Sequence, residues 1–132
     1  KSDGMKKSME GLLYGARVDV VFAGHVHAYE RFLAQSAKIF WHAFTVTKLT
    51  VRGPVHITIG DGETVKALLA SKYIDPKPET SLFREASFEH GRFKVVNTSH
   101  ALWEWHRNDD VQSIVADTVW LRSHVSDPAC KV

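Results

Sequence analysis

Two histidines one residue apart, His25 and His27, stand in the stretch Gly24-His25-Val26-His27-Ala28-Tyr29-Glu30-Arg31, directly behind the apolar run Val18-Asp19-Val20-Val21-Phe22-Ala23. Neutral imidazole is the commonest protein ligand for zinc and also suits iron and manganese. The pair alone carries little weight, because eight histidines in 132 residues would give about 0.5 such pairs by chance. Its setting carries more. Residues 18–23 are β-branched and aromatic, are bounded by Arg17 and Gly24, and are too few for a typical helix, so the run predicts an inner strand covered on both faces. Gly24 ends it and lets the backbone turn sharply. That turn would carry both imidazoles off the carboxyl edge of a sheet, where open α/β folds place their ligands. At this level two readings stay open, metal ligation and a pair of solvated loop histidines.

The elements around the pair follow from periodicity. Ser2 or Asp3 can cap a short helix in which Met5, Met9, Leu12 and Leu13 recur at helical spacing and should lie on a sheet. Gly15 and Arg17 lead into the strand, a helix-then-strand order of the α/β kind. Val55, Ile57 and Ile59 alternate with His56 and Thr58, the signature of a strand with one face in the core, and Asp61-Gly62 closes it with a turn. Beyond a proline-containing loop at 75–78 the chain should become antiparallel, with strands at 92–97, 100–107 and 112–122 and Asn108-Asp109-Asp110 joining the last two. Trp103, Trp105 and Trp120 read as core or cross-strand packing rather than as a ligand platform. His56, His90, His100 and His106 read as structural, although His90-Gly91 stays open.

Composition sets looser limits. A chain of 132 residues has the size of one domain and could bury about two thirds of its unfolded surface. Net charge is +2 with Lys and Arg dispersed, which leaves no basic stripe for nucleic acid, and no apolar run approaches the roughly 20 residues of a membrane span. There is no initiator methionine and no signal-peptide pattern at the start, which does not argue for the cytosol. Asn97-Thr98-Ser99 is a glycosylation sequon and agrees with a secretory or vacuolar route. The single Cys130 implies a lost partner, an intermolecular bridge or a free thiol.

Residues 18–31 resemble the last metal-ligand block of the plant purple acid phosphatases, members of the calcineurin-like metallophosphoesterases. Three further blocks are similar in the same order: Gly53-Pro54-Val55-His56-Ile57-Thr58-Ile59-Gly60-Asp61-Gly62; Phe83-Arg84-Glu85-Ala86-Ser87-Phe88 with His90-Gly91; and Trp105-His106-Arg107-Asn108. The resemblance runs over residues 1 to about 31 and 53 to about 124, only the carboxyl-terminal part of the family's catalytic domain, and so implies a piece of a larger enzyme. The implied fold is an α/β or α+β segment, the terminal part of a metallophosphoesterase β-sandwich ending in an antiparallel meander. Residues 1–32 would close the core and carry the metal loop, 33–52 would be an atypical insertion, and 53–132 would form the carboxyl-terminal module.

The implied chemistry is hydrolysis of phosphate monoesters at acidic pH by two metals roughly 3.5–4 Å apart. By resemblance His25 binds a divalent ion, Zn(II), Mn(II) or Fe(II), and His27 binds Fe(III), while Tyr29, Glu30 and Arg31 brace the loop. The family's remaining ligands and its phosphate-holding histidines have no counterpart here, so this chain by itself is expected to be inactive, and the rival to an enzyme segment is a non-catalytic remnant that keeps a structural or binding module. Asn97 stands where relatives carry a sequon. The resemblance also implies a secreted, cell-wall or vacuolar enzyme and allows a homodimer. It breaks at 33–51, an apolar, β-prone stretch poor in turn residues where relatives carry a short polar loop; a genuine inserted hairpin competes with translated non-coding sequence, and the missing turn signals favour the latter. It breaks again at Glu63-Thr64, where relatives have Gly-Asn, and at Arg52, where the family's cysteine would give Cys130 a partner.

Overall fold

The structure, a computed structural model, describes residues 2–24, 28–32, 53–60, 76–85, 89–108 and 112–126, with the side chains of residues 2–7 and of Glu89 outside that set. The expectations for His25 and His27, for 33–52, for the turn at Asp61-Gly62, for Glu63-Thr64 and for Cys130 all fall outside the described residues.

Helix α1 (Ser2–Gly15) ends in a closed cap. Val18 N–H donates to Leu13 O (2.9 Å) and Arg17 N–H to Tyr14 O (2.9 Å), the paired bonds that satisfy the last carbonyls of a helix when the following residue turns left-handed. Here that residue is Arg17, at φ 56°, where glycine is the residue of choice because a Cβ crowds the following carbonyl. Arg17→Gly is therefore expected to stabilise the chain by about 0.5–1 kcal/mol, read as a raised urea midpoint at unchanged m-value; a lowered midpoint would mean that the Arg17 side chain contributes more than the strain costs.

The helix does not dock by the face that its apolar spacing suggests. Met9 is 46% and Leu12 74% exposed, whereas Glu10 is buried and its carboxylate lies 3.9 Å from His56 Nε2. Leu13, three residues on and on the same side as Glu10, is half-buried. The expected packing of Met9 and Leu12 is thus corrected: the helix is rotated so that the Glu10–Leu13 side meets the sheet.

Among the described residues, seven strands form two sheets. In the first, β1 (Val20–Ala23), β2 (Tyr29–Phe32), β3 (Val55–Thr58) and β4 (Ser81–Glu85) take the order β1-β3-β2-β4. β3 runs parallel to β1 and antiparallel to β2, and β4 pairs antiparallel with β2. The alternation of Val55, Ile57 and Ile59 is met, with Ile57 fully buried and Val55 and Ile59 packed beside it. β1 is an outer strand among the described residues, and its Phe22 is 43% exposed, which corrects the expectation of an inner strand covered on both faces. β4 was not foreseen.

The second sheet is the expected meander: β5 (Glu89–Val95), β6 (His100–Arg107) and β7 (Ile114–Arg122), antiparallel throughout. Asn97 makes the β5–β6 turn, its Oδ1 accepting from Ser99 N (2.9 Å), Ser99 Oγ (3.0 Å) and His100 N (2.9 Å), the local bonding that suits asparagine to turns. Successive side chains alternate faces. Trp103 and Trp105 on β6 and Asp117 and Leu121 on β7 therefore point at the first sheet and are buried. Trp120 takes the opposite phase, across from Leu102 on the neighbouring strand, and is 60% exposed, so it lies outside the core that the other two enter.

The core lies between the sheets and is largely aromatic. Tyr29 stacks on Trp105 at 4.1 Å and 12°, Trp105 on Trp103 at 6.1 Å, and Trp103 meets Phe22 at 5.0 Å. Phe93 closes edge-on against Phe22 at 5.8 Å and Phe83 tilts on Tyr29 at 5.9 Å. Such pairs add about 0.5–1.5 kcal/mol each beyond the area they bury.

Candidate metal loop and the latch beneath it

The loop that would hold a metal leaves the carboxyl edge of β1 and re-enters the sheet at β2, with β3 between the two strands. Both of its stems are tied to the end of β3. Ile59 N–H donates to Ala23 O (2.8 Å) on the outgoing stem and Gly60 N–H to Ala28 O (3.1 Å) on the returning one. Ala28 and Tyr29 are buried. Gly24 has no left-handed backbone, and a Cβ built there would meet only Ile59 O at 3.9 Å, ordinary contact. The conformational freedom expected of Gly24 is not what the described backbone uses. His25, Val26 and His27 themselves lie outside the described residues. Among the described residues no group of three or more His, Cys, Asp or Glu could hold a metal ion.

Directly after the loop, β2 carries Tyr29, Glu30 and Arg31, and each is engaged. Arg31 grips Asp117 on β7 with two bonds, Nε to Oδ2 at 2.7 Å and Nη2 to Oδ1 at 2.8 Å. Tyr29 OH donates to the same Oδ2 at 2.7 Å and accepts from Trp103 Nε1 at 3.0 Å. Glu30 faces the other way and pairs with Arg84, its cross-strand neighbour on β4, at 2.7 Å. A second tie holds the entrance of β1: Asp19 Oδ1 accepts from His124 N at 2.6 Å and Asp19 O from Val55 N at 3.0 Å.

The Tyr29–Arg31–Asp117 latch joins the two sheets across their core. Burial alone would raise the Asp117 carboxyl, but the hydrogen bonds from Arg31 and Tyr29 outweigh it and hold the group below its ordinary value. Burial pushes the Tyr29 phenol up, and its bond to Asp117 pushes it further. Burial works against the Arg31 cation, yet the bonds to Asp117 leave it raised. A carboxyl that titrates lower in the folded than in the unfolded chain contributes stability in full above the unfolded value, and that contribution is lost as pH falls through the folded one. The stability difference between this chain and its Asp117→Asn variant is accordingly expected to be flat down to about pH 5 and to shrink below about pH 4. Urea titrations at stepped pH check it, and a difference that grew on acidification would be the wrong sign.

The residues 29–31 were legible as neighbours of a site; Asp117, Trp103 and Arg84 as their partners were not. One signal did exist. On β7 the inward phase reads Asp117, Val119, Leu121, and an acid heading an apolar row requires a buried partner.

A family model described as iron/zinc purple acid phosphatase-like protein C matches residues 53–118. The chain is 56% identical over 128 residues to "Probable purple acid phosphatase 20" of Arabidopsis thaliana, covering 97% of this chain and 28% of that protein. It is 50% identical over 131 residues to purple acid phosphatase 18 of the same plant, covering 99% and 28%, and 45% identical over 110 residues to the purple acid phosphatase of Glycine max, covering 79% and 23%. These likenesses, with a helix on a mixed sheet packed against an antiparallel one, place the chain in the purple acid phosphatase family. It spans little more than a quarter of the length of the first curated relatives it matches.

Proposed function

We propose that this chain supplies the carboxyl-terminal part of a purple acid phosphatase that hydrolyses phosphate monoesters in acidic surroundings, and that His25 and His27 are its contribution to a dinuclear metal centre. The observation that carries the reading is the tying of both loop stems, at Ala23 and Ala28, to the end of β3, at the carboxyl edge of the parallel β1/β3 pair. Two imidazoles in a short loop so anchored are suitable donors for transition ions, while the rest of the coordination falls to ligands outside this chain. His25 would hold a divalent ion, Zn(II), Mn(II) or Fe(II), and His27 Fe(III). A pair of ions bound there would supply an activated water and charge neutralisation at the phosphate.

On this reading His25 and His27 bind and transfer no proton. Tyr29 and Arg31 fix the returning stem by their grip on Asp117, and Glu30 fixes it on the other side through Arg84. Holding ligands in place from behind is how residues outside the coordination sphere govern metal affinity. Residues 1–32 close the catalytic core and 53–132 form the carboxyl-terminal module, a division that leaves β3 to complete the sheet begun by β1 and β2. Asn97, exposed at the β5–β6 turn, would carry a glycan on a protein bound for the cell wall, vacuole or exterior. No helix among the described residues is long and apolar enough to cross a membrane.

The test is made in the full-length protein that contains this segment. His27→Ala should remove iron, and His25→Ala the divalent ion, with phosphate release from p-nitrophenyl phosphate falling in step, whereas His100→Gln at the β5–β6 turn should leave metal content intact. Normal iron and normal turnover in His27→Ala would sink the assignment.

A further inference from the structure

The alternation that turns Trp103 and Trp105 toward the first sheet turns the intervening side chains of the meander away from it. Lys94, Leu102 and Trp120 stand in one row across β5, β6 and β7, and Arg92 lies opposite Glu104 in the next row. Arg122 follows Trp120 by two residues on β7, and so shares its face. Cations that are dispersed along the chain thus gather around one indole. Trp120 is 60% exposed, Arg92, Lys94 and Arg122 are exposed, and Leu102 is half-buried between Lys94 and Trp120.

Arg31, Arg84 and Arg107 are each held by a carboxylate. Arg92, Lys94 and Arg122 differ: among the described residues their side chains make no ion pair or hydrogen bond, and Trp120 meets no other ring. Glu104 is the one acid in these rows, and its Oε2 lies 3.9 Å from His106 Nε2. A protein partner matches such a face poorly, because the core of a protein interface sheds charge. A nucleic acid matches it no better, since such strands are gripped through about 6–10 phosphates or by successive bases stacked on successive rings. A sugar suits a single ring. The C–H face of a pyranose lies flat on an indole and buries apolar surface there, while a carboxylate on the sugar takes charge-assisted hydrogen bonds from Lys or Arg. Strand geometry sets the backbone of Arg122 and Lys94 about 7–10 Å from that of Trp120, within reach of the carboxylates of a stacked uronate and its neighbours in a polymer.

We infer that the outer face of the meander binds an acidic polysaccharide of the polyuronate kind, one sugar stacked on Trp120 beside Leu102 and its carboxylates paired with Arg122, Lys94 and Arg92. Each exposed ion contact is weak and screened by salt. Affinity therefore comes from repetition along the polymer, which offers many equivalent segments to one face. The face looks away from the first sheet, from which the histidine loop springs, so such binding is separable from any hydrolysis.

The test is made on the full-length protein that contains this segment, by biolayer interferometry on immobilised polygalacturonate, on its methyl ester and on a neutral glucan, at stepped salt. The expected result is binding to polygalacturonate alone, weakening as salt rises. Trp120→Ala should weaken it about tenfold, Lys94→Gln with Arg122→Gln should do the same, and Glu104→Gln should tighten it. Tm and oligomeric state should be unchanged in the Trp120, Lys94 and Arg122 variants, which separates loss of the face from loss of the fold. None of these residues belongs to the histidine loop, so the outcome is independent of the phosphatase reading. No binding to polygalacturonate would overturn the site, and with a lowered Tm in Trp120→Ala it would show that the rest of the protein covers this face. A dimer that Trp120→Ala splits would assign the face to a second copy and overturn it too, as would binding that Trp120→Ala leaves unchanged or that a single-stranded oligonucleotide matches.

Discussion

Replacing Asp117 with asparagine is expected to destabilise the chain by about 3–5 kcal/mol, the usual cost of removing one partner from a buried ion pair. The size follows from what is stranded. Arg31 and Asp117 are 13% and 6% exposed at their side chains, so the guanidinium would stay in the core with half of its bidentate grip replaced by a neutral amide. Asparagine can still accept from Tyr29 or from Arg31, but its NH2 group would face the donor that Asp117 Oδ1 or Oδ2 now receives. Tyr29→Phe should cost less, about 1–3 kcal/mol, because it strips one partner from Trp103 Nε1 and one from Asp117 while leaving the charges paired. Urea unfolding followed by tryptophan fluorescence measures both. An Asp117→Asn loss below about 1 kcal/mol, the range of exposed ion pairs, would mean that the latch is far more solvated than its geometry indicates.

Gly91→Ala is the second large effect, expected at about 3 kcal/mol or more. A Cβ at Gly91 would run into the six-membered ring of Trp103, overlapping Cη2 and lying 2.5 Å from Cζ2 and 2.8 Å from Cζ3. Overpacking a dense core by one methyl typically costs about 1–3 kcal/mol when neighbours can shift. Trp103 has little room to do so. Phe22 and Trp105 sit against its ring, and its Nε1 is bound to Tyr29, so moving the indole also breaks a buried hydrogen bond worth about 1–3 kcal/mol if left unmade. The measured quantities are the urea midpoint and the near-ultraviolet circular dichroism of the tryptophans. A variant with a native near-ultraviolet spectrum and unchanged midpoint would show that the indole can be accommodated elsewhere.

The parts of the fold that repeat locally were readable from the sequence. Strict alternation marked β3, and turn residues with aromatic runs marked the three meander strands, because period and turn chemistry are short-range properties. β4 escaped: Ser81-Leu82-Phe83-Arg84-Glu85 is brief and ends in two charges, which make sense only once Glu30 is seen across from Arg84. The helix face was misjudged because Met9 and Leu12 hold apolar spacing while Glu10 finds its neighbour, His56, far along the chain. The outer position of β1 is likewise invisible locally, since its run is apolar whichever strand stands beside it. Of the candidate site, the place of the histidine pair in the chain directly behind a strand was legible. The clamp behind them was not, for the partners of Tyr29 and Arg31 lie 88 and 86 residues away, and no periodicity spans that distance.

The interposition of β3 between β1 and β2 also sets a timetable. A ribosome delivers residues 20–32 before residues 55–58, so the two strands that flank the histidine loop emerge without the strand that pairs with both. Ala23 and Ala28 cannot receive their bonds from Ile59 and Gly60 until at least residue 60 has left the exit tunnel, and Asp117, which clamps Arg31, arrives later still. Vectorial synthesis at about 5–20 residues per second thus leaves the two stems untied for several seconds, and non-local pairings of this sort are slow to form. On the function proposed above, capture of metal by His25 and His27 would then be one of the last events of biogenesis, after nearly the whole of this segment has been made.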